Sequence, residues 1–292
     1  MSQGFTRSQI INGIIRDDRT TSPACFENNL TAASAALRLG TTLTAHATPH
    51  TKGSYTDIIA STGQTAYGIW VTGFDVAVNG SATSMLLDIA TGGIGAETDI
   101  ISNIDMGNAS VSLSTGVTSN GKLFYFPGLL IPSGTRISAR IQALITVDTL
   151  VVAMSLDQRI QWQIANTSWV TYGAVTASSF GTAVPKGTNA FGAWTAVGST
   201  TSRSHTLWTV GLDMLADTTQ AASIPVLIEI GYGPNAGSIT SIGVVQSLLS
   251  IQEASAGCFP PVLAFNVSSG SQLWARLAGD DTENRGVIIY GN

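Results

Sequence analysis

At 292 residues the chain has room for two hydrophobic cores, yet only 11% of it is charged, against about 25% in an average soluble domain. A formal net charge of −5 leaves no basic surface to neutralise phosphates, which excludes nucleic acid as an expected partner. Lys52, Lys122 and Lys186 are the only lysines, and so bare a surface is expected to be covered in an oligomer or assembly.

Residues 1–39 read as a short N-terminal arm. Its stretches SQIINGIIRDD and NNLTAASAALRLG are the two helix candidates, the second rich in alanine and ended by Gly40. The arm lacks an apolar run ahead of its charges, so no signal peptide is expected. The most apolar stretch, ALITVDTLVVAM, is cut by Asp148 and too short to span a bilayer, so no membrane partner is expected. From residue 40 the texture changes to β-branched and aromatic runs bounded by Gly, Asn, Ser and Pro, at intervals of about 8–15 residues. That spacing, with no helical period between the runs, predicts an all-β chain of jelly-roll-like sandwiches. A first module is expected over 40–157, a bridging segment over 158–180 and a second module over 181–292. In the bridge, RIQWQIA alternates as a strand with one polar face.

The two modules follow from an internal repeat. GTTLT at Gly40, Trp70-Val71-Thr72-Gly73-Phe74-Asp75, LLDIATGG and PSGTRISAR recur in order as GTAVP at Gly181, Trp208-Thr209-Val210-Gly211-Leu212-Asp213, LIEIGYGP and SSGSQLWAR. The offset is 138 residues between Trp70 and Trp208, 141 between Asp88 and Glu229, and 136 between Arg140 and Arg276. Drift of this size reflects insertions in loops of a copied framework.

No cluster announces a reaction. Asp88 and Glu229 match, as do Arg140 and Arg276, and strand alternation can bring each acid to its arginine across a sheet. Either a charged binding site or a structural ion pair has been copied; the ion pair is preferred, because a duplicated active site is free to drift. Trp70 and Trp208 read as core aromatics. Trp162 and Trp169, in the polar bridge, are candidates to stand exposed and stack on a glycan or a partner. His46 and His50 have a zinc spacing only on a helix, which Pro49 opposes, so no metal site is expected. His205 sits among serines without a G-x-S-x-G elbow, and no pair of acids is singled out for glycoside hydrolysis. ATGGIGAET and GYGPNAGS follow strands without opening helices, so they read as turns. No catalytic residue and no cofactor are expected. Cys25 and Cys258 have neither metal nor redox spacing, and buried thiols are the simpler reading.

GTTLTAHATPHTKGSYTDIIAST, LLDIATGGIGAETDIISNI and YFPGLLIPSGTRISARIQ, with the second GTAVPKGTNAFGAWT, resemble tandem-repeat structural proteins of tailed bacteriophage particles. The resemblance covers roughly residues 40–292 and rests on framework motifs. It implies β-sandwich modules, a place in a virion after synthesis in the host cytoplasm, and no enzymatic activity. Partners would be copies of the chain, in a trimer or other small ring, and other virion proteins. The role implied is capsid decoration or cement, or a head, neck or tail component; the alternative is an adhesin for host-surface glycan. The second copy departs from the pattern where Ser268-Ser269-Gly270-Ser271-Gln272-Leu273-Trp274 replaces the proline and first arginine.

Overall fold

The computed structural model describes residues 26–28, 40–75, 84–106, 122–159, 166–174, 178–213, 224–249, 261–280 and 283–292. Regular structure among them is entirely β. The first half supplies β1 (Phe26–Asn28), β2 (Thr41–Thr44), β3 (Thr56–Ile59), β4 (Ala66–Asp75), β5 (Met85–Thr91), β6 (Thr98–Asp105), β7 (Leu123–Ile131), β8 (Ile137–Ala143) and β9 (Thr149–Asp157). The second half supplies β10 (Val170–Tyr172), β11 (Thr182–Val184), β12 (Lys186–Thr188), β13 (Thr195–Ala196), β14 (His205–Asp213), β15 (Ile224–Tyr232), β16 (Thr240–Leu249), β17 (Leu263–Val267), β18 (Leu273–Gly279) and β19 (Arg285–Gly291).

Four sheets result. Sheet I runs β1-β9-β4-β7 with β2 also on β9, and sheet II runs β3-β8-β5-β6. Sheet III runs β10-β19-β14-β17 with β11 also on β19, and sheet IV runs β12-β18-β15-β16 with β13 also on β18. The order β9-β4-β7 answers β19-β14-β17, and β8-β5-β6 answers β18-β15-β16. The all-β, jelly-roll-like architecture is therefore present twice. The helices expected in the N-terminal arm fall in residues 1–25 and 29–39, outside the described residues, as do Cys25, Cys258, Trp162 and the RIQWQIA strand. Phe26–Asn28 pair antiparallel with Asp157, Leu156 and Ser155. Within the 158–180 stretch, Val170–Tyr172 join the second pair of sheets through β19. No helix among the described residues is long and apolar enough to cross a membrane.

Local chemistry shapes the edges. Pro127 offers no N–H to a ladder, and it lies in β7, which among the described residues pairs on one side only, with β4. Gly128 beside it adopts φ 74°, and the register slips between Ala66 and Gly68 on the partner strand. On β6, Asn103 takes φ 55°, a left-handed conformation that asparagine tolerates, where the β5–β6 register breaks.

The first core gathers Ile69, Val71, Leu87, Ile89, Ile101, Phe124, Phe126, Ile141 and Val152, all essentially inaccessible. Trp169, Ala174, Leu207, Ile288 and Tyr290, which follow the first module in the chain, belong to the same cluster. The second core holds Trp208, Val210, Leu212, Val226, Ile228, Leu277, Val287 and Ile289. Alternation in β14 and β19 thus aims one face of sheet III at its own sandwich and the other at the first.

That shared packing leaves no space at Gly211: an added Cβ would lie 2.8 Å from Asp105 Cβ and 3.1 Å from Tyr290 Oη. Gly211→Ala is expected to cost about 2 kcal/mol by overpacking, read as a lower urea midpoint with an unchanged slope.

Candidate functional site

The copied acids and arginines meet across the sheets. Asp88 on β5 stands directly opposite Arg140 on β8, and Glu229 on β15 directly opposite Arg276 on β18. Arg140 Nε donates to Asp88 Oδ2 at 2.8 Å, and Arg276 Nε donates to Glu229 Oε2 at 2.7 Å. The surroundings have diverged. In the first copy Lys52 Nζ adds a 2.5 Å bond to the same Asp88 oxygen, and the Asn103 N–H donates to Oδ1. Arg140 also reaches Asp99 at 3.2 Å, and its guanidinium lies 4.3 Å above the Tyr55 ring. Tyr55 donates to Asp99, and burial together with that bond pushes its phenol well above the ordinary range. Burial alone would lower Arg140, but the bond to Asp88 and its charge outweigh this and raise it. In the second copy the guanidinium of Arg276 lies 4.8 Å from the Phe191 ring and 4.5 Å from that of Trp194. One site is a closed network of charges; the other is an aromatic-flanked arginine at a half-open face.

A second polar cluster was not legible in the sequence. Where the sandwiches meet, the Tyr290 hydroxyl accepts from the Asp105 N–H at 2.8 Å and donates to the Asn103 carbonyl at 3.1 Å. Lys122 Nζ donates to Asp105 Oδ2 at 2.6 Å and to the Leu212 carbonyl at 2.7 Å. Ser84 donates to Asp213 across the same boundary. Tyr290 is fully buried, and burial followed by the charge of Asp105 raises its phenol far above its usual value. Asp105 and Asp213 are at most 1% exposed, so the cluster holds the modules together without offering a substrate a way in. The only hint was the Asp ending each WxxGxD stretch.

Other candidates fall into place singly. Trp169, expected to stand exposed, is instead 3% exposed: its indole N–H donates to the Pro127 carbonyl at 3.1 Å and its ring meets Phe126 edge-on at 5.2 Å. A glycan cannot stack on it, because the second module presses it against the first core. Trp70 and Trp208 occupy the same strand position but opposite faces. Trp208 is fully buried in the second core, whereas Trp70 is half-buried on the outer face of sheet I, stacked on Tyr125 at 4.1 Å. Val71 and Val210 keep the cores apolar, so the copied motif has turned over by one residue. His46 Nδ1 accepts from the Thr48 N–H, and His50 Nδ1 shares a 3.0 Å bond with Ser179 Oγ. No group of three or more His, Cys, Asp or Glu among the described residues could hold a metal ion. His205 is buried, shares a 2.7 Å bond with the Tyr172 hydroxyl, and is pushed down to about 4 by burial and then by the charge of Arg203.

No protein-family model matches the chain, and no curated protein matches it in sequence. Among solved structures it is similar to PNGF-II, with 9% identity and a TM-score of 0.40 over 91% of this chain and 66% of that one. It is similar to N-glycanase F (PNGase F), with 9% identity and a TM-score of 0.35 over 92% and 96%. It is also similar to the STIV MCP, a viral major capsid protein, with 10% identity and a TM-score of 0.32 over 86% and 96%. The chain spans about two thirds of the length of PNGF-II. At these TM-scores the neighbours carry no argument about what the chain does, but they correct one expectation. Two are glycan-cleaving enzymes, so the exclusion of enzymatic activity drawn from the sequence is withdrawn.

Two outcomes follow from the geometry. Asp88→Asn removes the acid that Lys52 and Arg140 share, leaving Arg140 only its longer bond to Asp99, and is expected to cost about 3 kcal/mol, whereas Glu229→Gln, beside a more exposed arginine, is expected to cost about 1 kcal/mol; paired urea titrations measure both. Because His205 titrates at about 4 when folded and near 6.5 when unfolded, its neutral form stabilises the protein above pH 6.5, and that contribution is lost as pH falls towards 4. Melting temperatures across that window are expected to fall in the wild type and to flatten in His205→Gln.

Proposed function

We propose that the chain is a structural subunit of a bacteriophage virion, of the capsid-decoration or cement kind or a head, neck or tail component, working through contacts with copies of itself and with other particle proteins. The observation that carries this reading is where its charges go. Lys52, Lys122, Arg136, Arg140, Arg159, Arg276 and Arg285 each pair with an acid of the same chain. Lys186 is buried, and Arg203 bonds the Ser168 carbonyl. The cations of the described residues are thus committed internally, and the charges on the outer faces of sheets II and IV are paired with one another rather than left for solvent. Such faces lose little solvation free energy when covered, which suits broad subunit contacts repeated by symmetry.

The sandwiches also share a core, which ties them into one unit as a building block requires. The exposed apolar residues Leu227 and Val244 stand on the outer face of sheet IV, away from that shared core. Phage encoding the chain is expected to carry it: in a caesium chloride gradient it sediments with the particles and resists removal by 1 M salt (~3 Å Debye length), since the cations of the described residues are already engaged within the chain. Recovery only in the particle-free fractions would refute the reading.

A further inference from the structure

The junction between the modules is a plug. A jelly-roll sandwich has an open side between the edge strands of its two sheets, here β6 and β7 in the first module. Residues of the bridge and the second module close that side: Tyr290 meets Phe124 and Phe126 edge-on at 5.8 and 5.6 Å, and Trp169 meets Phe126. The backbone is covered too, for the Trp169 N–H donates to the Ile100 carbonyl at 2.8 Å and Thr171 Oγ1 donates to that of Ser102. As a result Asn103 and Asp105, on the edge strand, are 8% and 0% exposed.

The equivalent side of the second sandwich lies between β16 and β17. The ladder fixes the correspondence: Leu86 and Asp88 match Leu227 and Glu229, so Asp105 answers to Gln246 and Asn103 to Val244. Among the described residues nothing plugs this side. Val244 is 49% exposed, Gln246 is exposed, and the core-facing Leu263 and Phe265 of β17 are only half-buried. An apolar valine thus stands open at the place where the first module keeps an asparagine under cover. Within one chain the plug is the outer face of sheet III, and its counterpart is the outer face of sheet I, where Thr72, Ala153 and Ser155 stand half-buried beside the stacked rings of Trp70 and Tyr125.

We propose that the β16–β17 side of one copy is closed by the outer face of sheet I of a second copy, repeating between chains the contact that the chain makes within itself. The contact is head-to-tail, so it generates a ring when the rotation closes. It covers β16, which among the described residues pairs on one side only, with β15, and so offers edge backbone to another chain. The inference rests on the self-assembly reading above and assigns its surfaces.

Light scattering of the purified full chain tests it. The wild type is expected as a closed multiple of 30.2 kDa, and Val244→Glu and Ser155→Glu, each folded by circular dichroism and melting temperature, are expected as monomers. Mixing the two variants is expected to give a dimer containing one of each, through the single contact that neither substitution touches, and nothing larger. A monomeric wild type at all concentrations overturns the proposal. Retention of the wild-type mass by Val244→Glu also overturns it, and so does a Ser155→Glu variant that still assembles, which points to an edge-to-edge contact about a two-fold. Co-sedimentation with particles is scored separately, so a wrong contact and a wrong function give different results.

Discussion

The open side of the first sandwich is the constraint on which the rest of the structure depends. Two sheets that do not close into a barrel leave core side chains and edge backbone facing water on one flank, and a fold of this kind must cover them. Here Trp169 and Tyr290 supply the cover, with their rings edge-on to Phe126 and Phe124. Their polar atoms cannot be buried without partners, so the Pro127 carbonyl receives the indole N–H, and the Asn103 carbonyl and Asp105 N–H satisfy the phenol. Asp105 in turn is tolerable in the interior because Lys122 pairs with it. Apolar cover and polar satisfaction arrive together at the boundary of the two sandwiches.

The twin ion pairs show how a copied framework diverges. Both occupy the same rung of the ladder, and both hold their arginine by a bond from Nε. In the first module the loop carrying Lys52 and Tyr55 folds over the pair and draws in Asp99, so that the face is sealed by charge. In the second, Phe191 and Trp194 flank the guanidinium and leave part of it reachable. A sealed face on one sandwich and a partly apolar face on the other give the molecule two unlike ends, and unlike ends permit head-to-tail association rather than only two-fold contacts.

Much of the fold was legible because repeats and strand-length runs are local features. The WxxGxD stretch, the LLDIA and LIEIG strands and the Ser-Gly turns placed the strands in order, and register then set Asp88 against Arg140 and Glu229 against Arg276. Face was not legible where period-two alternation could be read either way. Trp70 and Trp208 match in sequence yet point oppositely, because Val71-Thr72 and Thr209-Val210 exchange their apolar residue and a one-residue shift turns a whole strand over. Burial of Trp169 was hidden for a different reason: its partner Pro127 lies 42 residues away, and no local pattern reports such a contact.

The order of residues by itself determined that the chain is duplicated, built of strands and poor in free charge, since composition and periodicity are properties of neighbours along the chain. Only the tertiary structure decided that the bridge and the second sandwich stopper the first, that Asp105, Lys122, Tyr290 and Ser84 form the boundary between them, and that among the described residues the matching flank beside Val244 has no such cover. Those outcomes depend on which faces of distant strands are brought together. That is settled by long-range packing and by the need to satisfy every buried polar atom, and neither requirement is written within any single segment.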